Sequence, residues 1–328
     1  MAGKTVLYVH GFASSGQSGT VARMREAMPE ARVMAPDLPI HPQEAIALLH
    51  EVCEREQPSL IIGTSMGGMY TEQLYGYDRI CVNPAMEMAE TMKAHGMTGT
   101  QLFQNPRQDG VQEFYVDKAL IKEYREQTER RFEGITDEER RHVYGLFGDE
   151  DTTTDCYGLF SEHYPQAIRF HGEHRMNDHS FMHSVVPVIR WIDDRQTGRE
   201  RPIIYIGIET LMDAYRKPTS SMFKAVSLFI ESYQVFFVAP APSSSPVTSP
   251  SPANSAFYAA TVSWLEAHVG VPAWGRTVFT NRRDLLYGDY LISQQKEGDP
   301  MATLLEYGSD TFKTWEDIIE YFSRLGGQ

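Results

Sequence analysis

The chain has 328 residues, 41% hydrophobic and 23% charged, which is enough for two globular domains with separate cores. Its net charge of −14 is spread along the chain, so nucleic acid is not an expected partner: phosphate neutralisation needs a basic face. Cys53, Cys81 and Cys156 are widely spaced with no CxxC pair, which excludes a disulfide framework and fits a reducing compartment.

The N-terminal "MAGKTVLYVHGF" reaches a His-Gly turn by residue 10, too early for the apolar region of a signal peptide. No stretch approaches the ~18 apolar residues of a membrane span, so a cytoplasmic protein without a membrane partner is expected. Residues 5–9 (TVLYV) are β-branched and aromatic and predict a buried strand. A helix over 20–28, a short strand from Ala31 to Pro36 and a helix from Gln43 to Glu56 follow, the last striped with Ile46, Leu49 and Val52. Next come strand SLIIGTS (59–65), a helix from Gly67, strand RICVNP (79–84), strand VYGLFG (143–148), a short helix, strand AIRF (167–170) and a helix ending near Trp191. Such alternation predicts an α/β domain with a parallel sheet and helices on both faces.

Residues 86–141 interrupt that rhythm with the charged helical run "KALIKEYREQTERR" and glycine-bearing loops. An insertion of this length is a lid or a solvated surface excursion. Met86, Met88, Met92 and Met97 either line an adaptable apolar wall there or pack helices together. The charged "DDRQTGRERP" (193–202) reads as a linker. Beyond it the pattern restarts: strand PIIYIGI, a helix around 217–232, strand VFFVAP, a Ser/Pro-rich loop (240–254) expected to be mobile, and a helix through Trp264. Strands TVFT, DYLIS and LLEYG and the helix "KTWEDIIEYF" complete a second, smaller α/β unit. The expected domains are 1–195 and 203–328.

"IIGTSMGG" (61–68) sets Ser65 in a Gly-x-Ser-x-Gly frame between an apolar strand and a helix. A strand–turn–helix of that kind lifts a serine hydroxyl clear of the sheet as a nucleophile, and glycines at 63 and 67 allow strand and helix to approach. The Met66 amide then points toward the site as an oxyanion donor. His10-Gly11-Phe12, ending the first strand, offers the Phe12 amide as the second donor, with His10 more structural than catalytic.

A nucleophilic serine needs a base and an orienting acid, and in this arrangement both follow it on loops after core strands. "GDEDTTTD" supplies the acid, with Asp151 favoured over Asp149, which could instead cap the next helix. "HGEHRMNDHSFMH" (171–183) holds four histidines. His174, on the loop after Gly172, is the favoured base, with His179 its main rival. Spacings across strand, loop and helix match neither HExxH nor a Cys/His frame, so no metal and no cofactor are expected.

Over residues 5–193 the chain resembles the small bacterial α/β-hydrolase esterases of the YqiA/YcfP type, through "LYVHGFASS", "IIGTSMGGMY", "VNPA", Asp151-x-x-x-Asp155 and "HGEHRM". The resemblance implies a triad of Ser65, Asp151 and His174, an oxyanion turn at Gly11-Phe12, and hydrolysis of short carboxyl esters or thioesters. The acid loop departs from the family, with Thr152-Thr153-Thr154 where members carry Glu-Val-Leu. Residues 279–322 are similar to the C-terminal part of deoxyribonucleotidase-like proteins of the haloacid dehalogenase (HAD) superfamily, which implies a Rossmann-like, HAD-like second domain. That family's Asp-x-Asp pair and its later acids hold Mg²⁺. Here Gly207 and Glu209 stand at the first strand end and Ser293 and Gln294 at the later one, while the basic position ahead of Trp264 is Thr261. A catalytically inactive copy is therefore expected.

The combined expectation is a serine hydrolase acting through an acyl-enzyme on a small-molecule ester or thioester. The competing expectations are a non-catalytic binding or scaffold protein and a phosphatase activity in the second domain.

Overall fold

The computed structural model describes residues 1–216, 220–242, 252–269, 273–294 and 300–325. It divides into two compact units, Met1–Asp193 and Asp194–Gln328.

In the first unit, six strands form one parallel sheet: β1 (Thr5–Val9), β2 (Arg32–Met34), β3 (Leu60–Thr64), β4 (Arg79–Val82), β7 (Val143–Gly148) and β8 (Ala167–Phe170), in the order β2-β1-β3-β4-β7-β8. Val6 to Val9, Leu60 to Ile62 and Ile80 to Val82 are buried, because a parallel sheet covered on both faces needs continuous apolar runs and not alternation. The strands are joined by α1 (Gly19–Ala27), α2 (Pro42–Glu56) and α3 (Met66–Glu72), then α4 (Met88–Ala94) and α5 (Lys118–Glu129), then α6 (Tyr157–Ser161). The chain beyond β8 runs through α7 (Asp178–Ser180), a π-helical turn (Phe181–Val185) and α8 (Val186–Thr197). That last helix continues through the charged start of the expected linker. Its apolar face, Val186, Val188, Ile189 and Ile192, is buried, and Asp193 pairs with Lys4 at 2.7 Å and with the N-terminal ammonium.

The stretch 86–141 meets the core along one face of α4 and one face of α5, and most of the chain around them is exposed. Asp117 caps α5 by accepting the Leu120 amide at 2.8 Å, and Leu120, Ile121 and Tyr124 face inward. Tyr124 Oη donates to the Ile40 carbonyl at 3.0 Å, and Gln127 Nε2 donates to Gln73 Oε1 at 2.6 Å. Met86, Met88 and Met92 are buried in the main hydrophobic cluster, and Met97 packs half-buried against it. Between α4 and α5 lies an antiparallel hairpin, β5 (Gly99–Leu102) and β6 (Glu113–Val116), where loops were expected. It alternates in the manner of a two-faced ribbon: Phe114 and Val116 are buried, Leu102 and Tyr115 exposed.

The second unit is a parallel sheet of β9 (Ile203–Gly207), β10 (Gln234–Ala239), β11 (Thr277–Phe279), β12 (Tyr290–Ser293) and β13 (Thr303–Glu306), ordered β11-β10-β9-β12-β13. Its helices are α9 (Ile208–Arg216), α10 (Ser220–Ser232), α11 (Pro252–Val269) and α12 (Trp315–Leu325). Helix α9 was not expected, since its leading isoleucine extends the apolar run of β9. Most of the Ser/Pro-rich loop, 243–251, lies outside the described residues. Among the described residues no helix is long and apolar enough to cross a membrane.

All three thiols are buried, and burial pushes each one's pKa up, that of Cys53 to about 11. Because the thiolate is the reactive form, an aromatic disulfide reagent at mildly alkaline pH should label none of the three in the native protein and all three in denaturant. Rapid labelling of the native protein would contradict this packing.

Candidate active site

Ser65 follows β3 directly and opens α3 with φ 55° and ψ −122°, a combination that costs a side-chain-bearing residue energy and that the surroundings must hold in place. Backbone bonds hold it: the Ser65 amide donates to the Val82 carbonyl at 3.0 Å, and the Ser65 carbonyl accepts the Ala85 amide at 2.9 Å. The turn also requires close packing of helix on strand. A Cβ on Gly67 would lie 2.0 Å from the Val9 carbonyl oxygen, and one on Gly63 2.3 Å from the Gly67 carbonyl oxygen, so neither position admits a side chain.

His174, on the loop after β8, brings Nε2 to 3.0 Å from Ser65 Oγ, and its Nδ1 lies 2.8 Å from Asp151 Oδ2 on the loop after β7. An ionised carboxylate only accepts, so Nδ1 carries the proton and Nε2 is left to accept from the serine hydroxyl. Asp151 is almost fully buried and His174 mostly so. Asp151 also accepts the amides of Thr153 (2.7 Å) and Thr154 (3.0 Å) and the Thr154 hydroxyl (2.8 Å). Of these three donors only the Thr154 hydroxyl belongs to a side chain, so it is the one that depends on threonine at that position.

Asp149 takes a different partner. Its carboxylate accepts the Gly172 amide at 3.0 Å and lies 3.2 Å from Nδ1 of His171, which is exposed. His179 and His183 lie against one another, their ring centroids 4.3 Å apart and their planes tilted by 38°. Among the described residues no group of three or more His, Cys, Asp or Glu side chains is placed to hold a metal ion.

The turn after β1 abuts the serine: a Cβ on Gly11 would lie 3.3 Å from Ser65 Cβ, and the expected donor Phe12 is the next residue of that turn. Met66, the other expected donor, is the first residue of α3. His10 Nδ1 donates to the Gly11 carbonyl at 2.9 Å and Nε2 accepts the Leu38 amide at 3.0 Å. Burial holds its pKa down, so the neutral ring braces the turn. The hairpin tip is tied to the same turn. Gln104 N donates to the Ala13 carbonyl at 2.8 Å, Ser15 Oγ to the Pro106 carbonyl at 2.6 Å, and the Asp37 carboxylate accepts both Gly16 N (2.8 Å) and Gln108 N (2.7 Å). Phe12 packs edge-on against Phe114, centroids 5.3 Å apart. Asp37 and Thr154 escaped the sequence reading because their partners are backbone amides and a carboxylate, which leave no motif.

In the second unit Glu209 stands just after β9 and Ser293 ends β12. Arg283, almost fully buried, forms a two-pronged pair with Glu209, Nη1 to Oε1 at 2.6 Å and Nη2 to Oε2 at 2.9 Å. Ser293 Oγ joins them, 3.1 Å from Glu209 Oε1. Burial pushes the Glu209 carboxyl up, and its hydrogen bond and charge pairing with Arg283 outweigh this and keep it below the ordinary value. One carboxylate already neutralised by a guanidinium, beside a hydroxyl, does not fit the Mg²⁺ ligand set that the HAD resemblance implies.

Taken together, the first unit is a parallel α/β protein with a serine raised on the turn from β3 to α3 and a carboxylate and a histidine drawn to it from the ends of β7 and β8. Residues 5–181 match the family described as Uncharacterised protein family (UPF0227), and the chain belongs to that family. Similar solved structures include Est1E from Butyrivibrio proteoclasticus, 14% identical with a TM-score of 0.39 over 60% of this chain and 88% of that one. A marine microorganism esterase is 16% identical with a TM-score of 0.38, over 53% of this chain and 89% of that one. Tomato methylketone synthase I, complexed with 2-tridecanone, is 12% identical with a TM-score of 0.39, over 60% of this chain and 99% of that one.

Burial pushes the Asp151 carboxyl up, but the hydrogen bonds from His174 and from the Thr154 and Thr153 amides prevail and leave its pKa below the ordinary value. A carboxyl depressed on folding stabilises the native state above its unfolded pKa of ~3.9 and loses that contribution as pH falls through the folded value. Asp151→Asn should therefore lower the urea midpoint most near neutrality, with the gap to wild type closing as the pH drops below about 4. A pH-independent gap in urea melts would show that the charge of Asp151 is not what stabilises the loop.

Proposed function

We propose that the first unit is a serine hydrolase of carboxyl esters or thioesters. The observation that carries this reading is the unbroken row from Asp151 through His174 to Ser65, at 2.8 and 3.0 Å, on a strained strand–helix turn. His174 Nε2 takes the proton as Ser65 Oγ attacks the carbonyl carbon, and the amides of Phe12 and Met66 hold the oxyanion of the tetrahedral intermediate. The imidazolium returns that proton to the leaving alcohol or thiol, which departs and leaves an acyl-serine. Water, deprotonated by the same nitrogen, then releases the acid and restores the hydroxyl. Asp151 keeps the ring in the required tautomer throughout. A fluorophosphonate probe should label the protein at Ser65, with labelling abolished in Ser65→Ala and kcat for a chromogenic short-chain ester reduced on the order of 10⁴-fold. Hydrolysis at the wild-type rate in Ser65→Ala would sink this reading and favour a binding protein with adventitious activity.

For the second unit we propose a non-catalytic, HAD-like module. The order β11-β10-β9-β12-β13 reverses direction between β9 and β12, and the crevice beyond those two strand ends is where open parallel sheets take their ligands. The Glu209–Arg283–Ser293 cluster lies at that place, so the guanidinium stands in for a bound cation. Mg²⁺ should leave the melting temperature of the full chain unchanged, and Glu209→Gln should destabilise the unit by about 3 kcal/mol by stranding Arg283. Mg²⁺-dependent hydrolysis of a nucleoside monophosphate that survives Ser65→Ala would reverse the assignment.

A further inference from the structure

Asn83 ends the crossing from β4 in the left-handed region, with φ 42°, and is 2% exposed. Its side-chain amide is fully engaged, and each bond reaches a loop that carries a partner of Ser65. Nδ2 donates to the carbonyls of Glu173 and His174, both at 3.0 Å. Oδ1 accepts the amide of Gly148, at 2.7 Å, where β7 gives way to the loop of Asp151. The Asn83 backbone amide donates to the Leu146 carbonyl at 2.7 Å, so the side chain starts from a fixed point on the sheet. One planar group with two donors and one acceptor thus spans the acid loop and the base loop.

We propose that Asn83 is a positioning residue that fixes the two loops relative to each other and so sets the Asp151–His174–Ser65 geometry. This rests on the serine hydrolase reading above. No other common side chain meets both demands. Aspartate offers the acceptor but turns a negative charge on two carbonyl oxygens, leucine makes no bond, and glutamine is one methylene too long for the same span. Asparagine is also among the few side-chain-bearing residues that tolerate a positive φ. Glycine tolerates the backbone equally well and lacks the amide, so Asn83→Gly separates the clamp from the turn.

The test compares full-length wild type, Asn83→Gly, Asn83→Asp and Ser65→Ala on a chromogenic short-chain ester, with folding followed by circular dichroism and active sites counted by fluorophosphonate labelling at completion. Asn83→Gly should lower kcat by roughly 10- to 100-fold with KM within about twofold, and slow the labelling rate by a similar factor while the final extent stays complete. Asn83→Asp should lower kcat as well and move the acidic limb of the pH–rate profile to higher pH, because a carboxylate beside His174 favours the imidazolium. The proposal is overturned if Asn83→Gly keeps kcat within about threefold of wild type while Ser65→Ala is inactive, or if its loss of rate equals its loss of labelled sites. Hydrolysis retained in Ser65→Ala removes the triad itself, and the proposal with it.

Discussion

The contact on which the first unit depends is the approach of α3 to the sheet at Gly67, beneath the carbonyl of Val9. Without that approach Ser65 has no reason to hold its strained backbone, and the amide end of α3 points elsewhere. The energy comes from ordinary sources: buried runs in β1, β3 and β4, and backbone bonds from Ser65 to Val82 and Ala85. A local conformational cost of about 1–3 kcal/mol is carried by packing spread over the whole sheet. The placement of the Ser65 hydroxyl beside His174 is therefore a property of the domain and not of the five-residue motif.

The elements legible in the sequence were those whose burial is simple. VYGLFG coincides with β7 because a strand covered on both faces leaves an uninterrupted apolar run, and AIRF with the edge strand β8, where Arg169 alone is exposed. The hairpin β5–β6 was not legible, since four-residue strands with only half their side chains inside carry too little pattern. Helix α8 ran into the expected linker because its last turns carry charged side chains that tolerate helix and loop alike. For the site, chain order and strand ends pointed to Ser65 and His174 and favoured Asp151. They could not separate Asp149 from Asp151 by chemistry, because both carboxylates follow β7 and each meets a histidine from the segment after β8. Asn83 stands in the VNPA stretch with no role legible there: its partners are backbone atoms 65 and more positions away, and sequence periodicity does not register such bonds.

The two units treat buried charge in contrasting ways. In the first, Asp151 meets a histidine whose other nitrogen remains turned toward a hydroxyl, so the pair retains a function beyond its own neutralisation. In the second, Glu209 and Arg283 satisfy each other with two parallel bonds, and Ser293 joins them. Parallel sheets of similar design thus present an open polar row in one case and a self-contained ion pair in the other.

The threonine-rich loop has an implication for where the proton rests. A carboxylate that shares its lone pairs among two amides, a hydroxyl and an imidazole has its negative charge dispersed over four donors. Such an oxygen is a poor base even beside a cation. In the mechanism proposed above, the Nδ1 hydrogen of the positively charged ring would therefore stay on nitrogen, with the acid an anchor of fixed charge and not a second station in a relay.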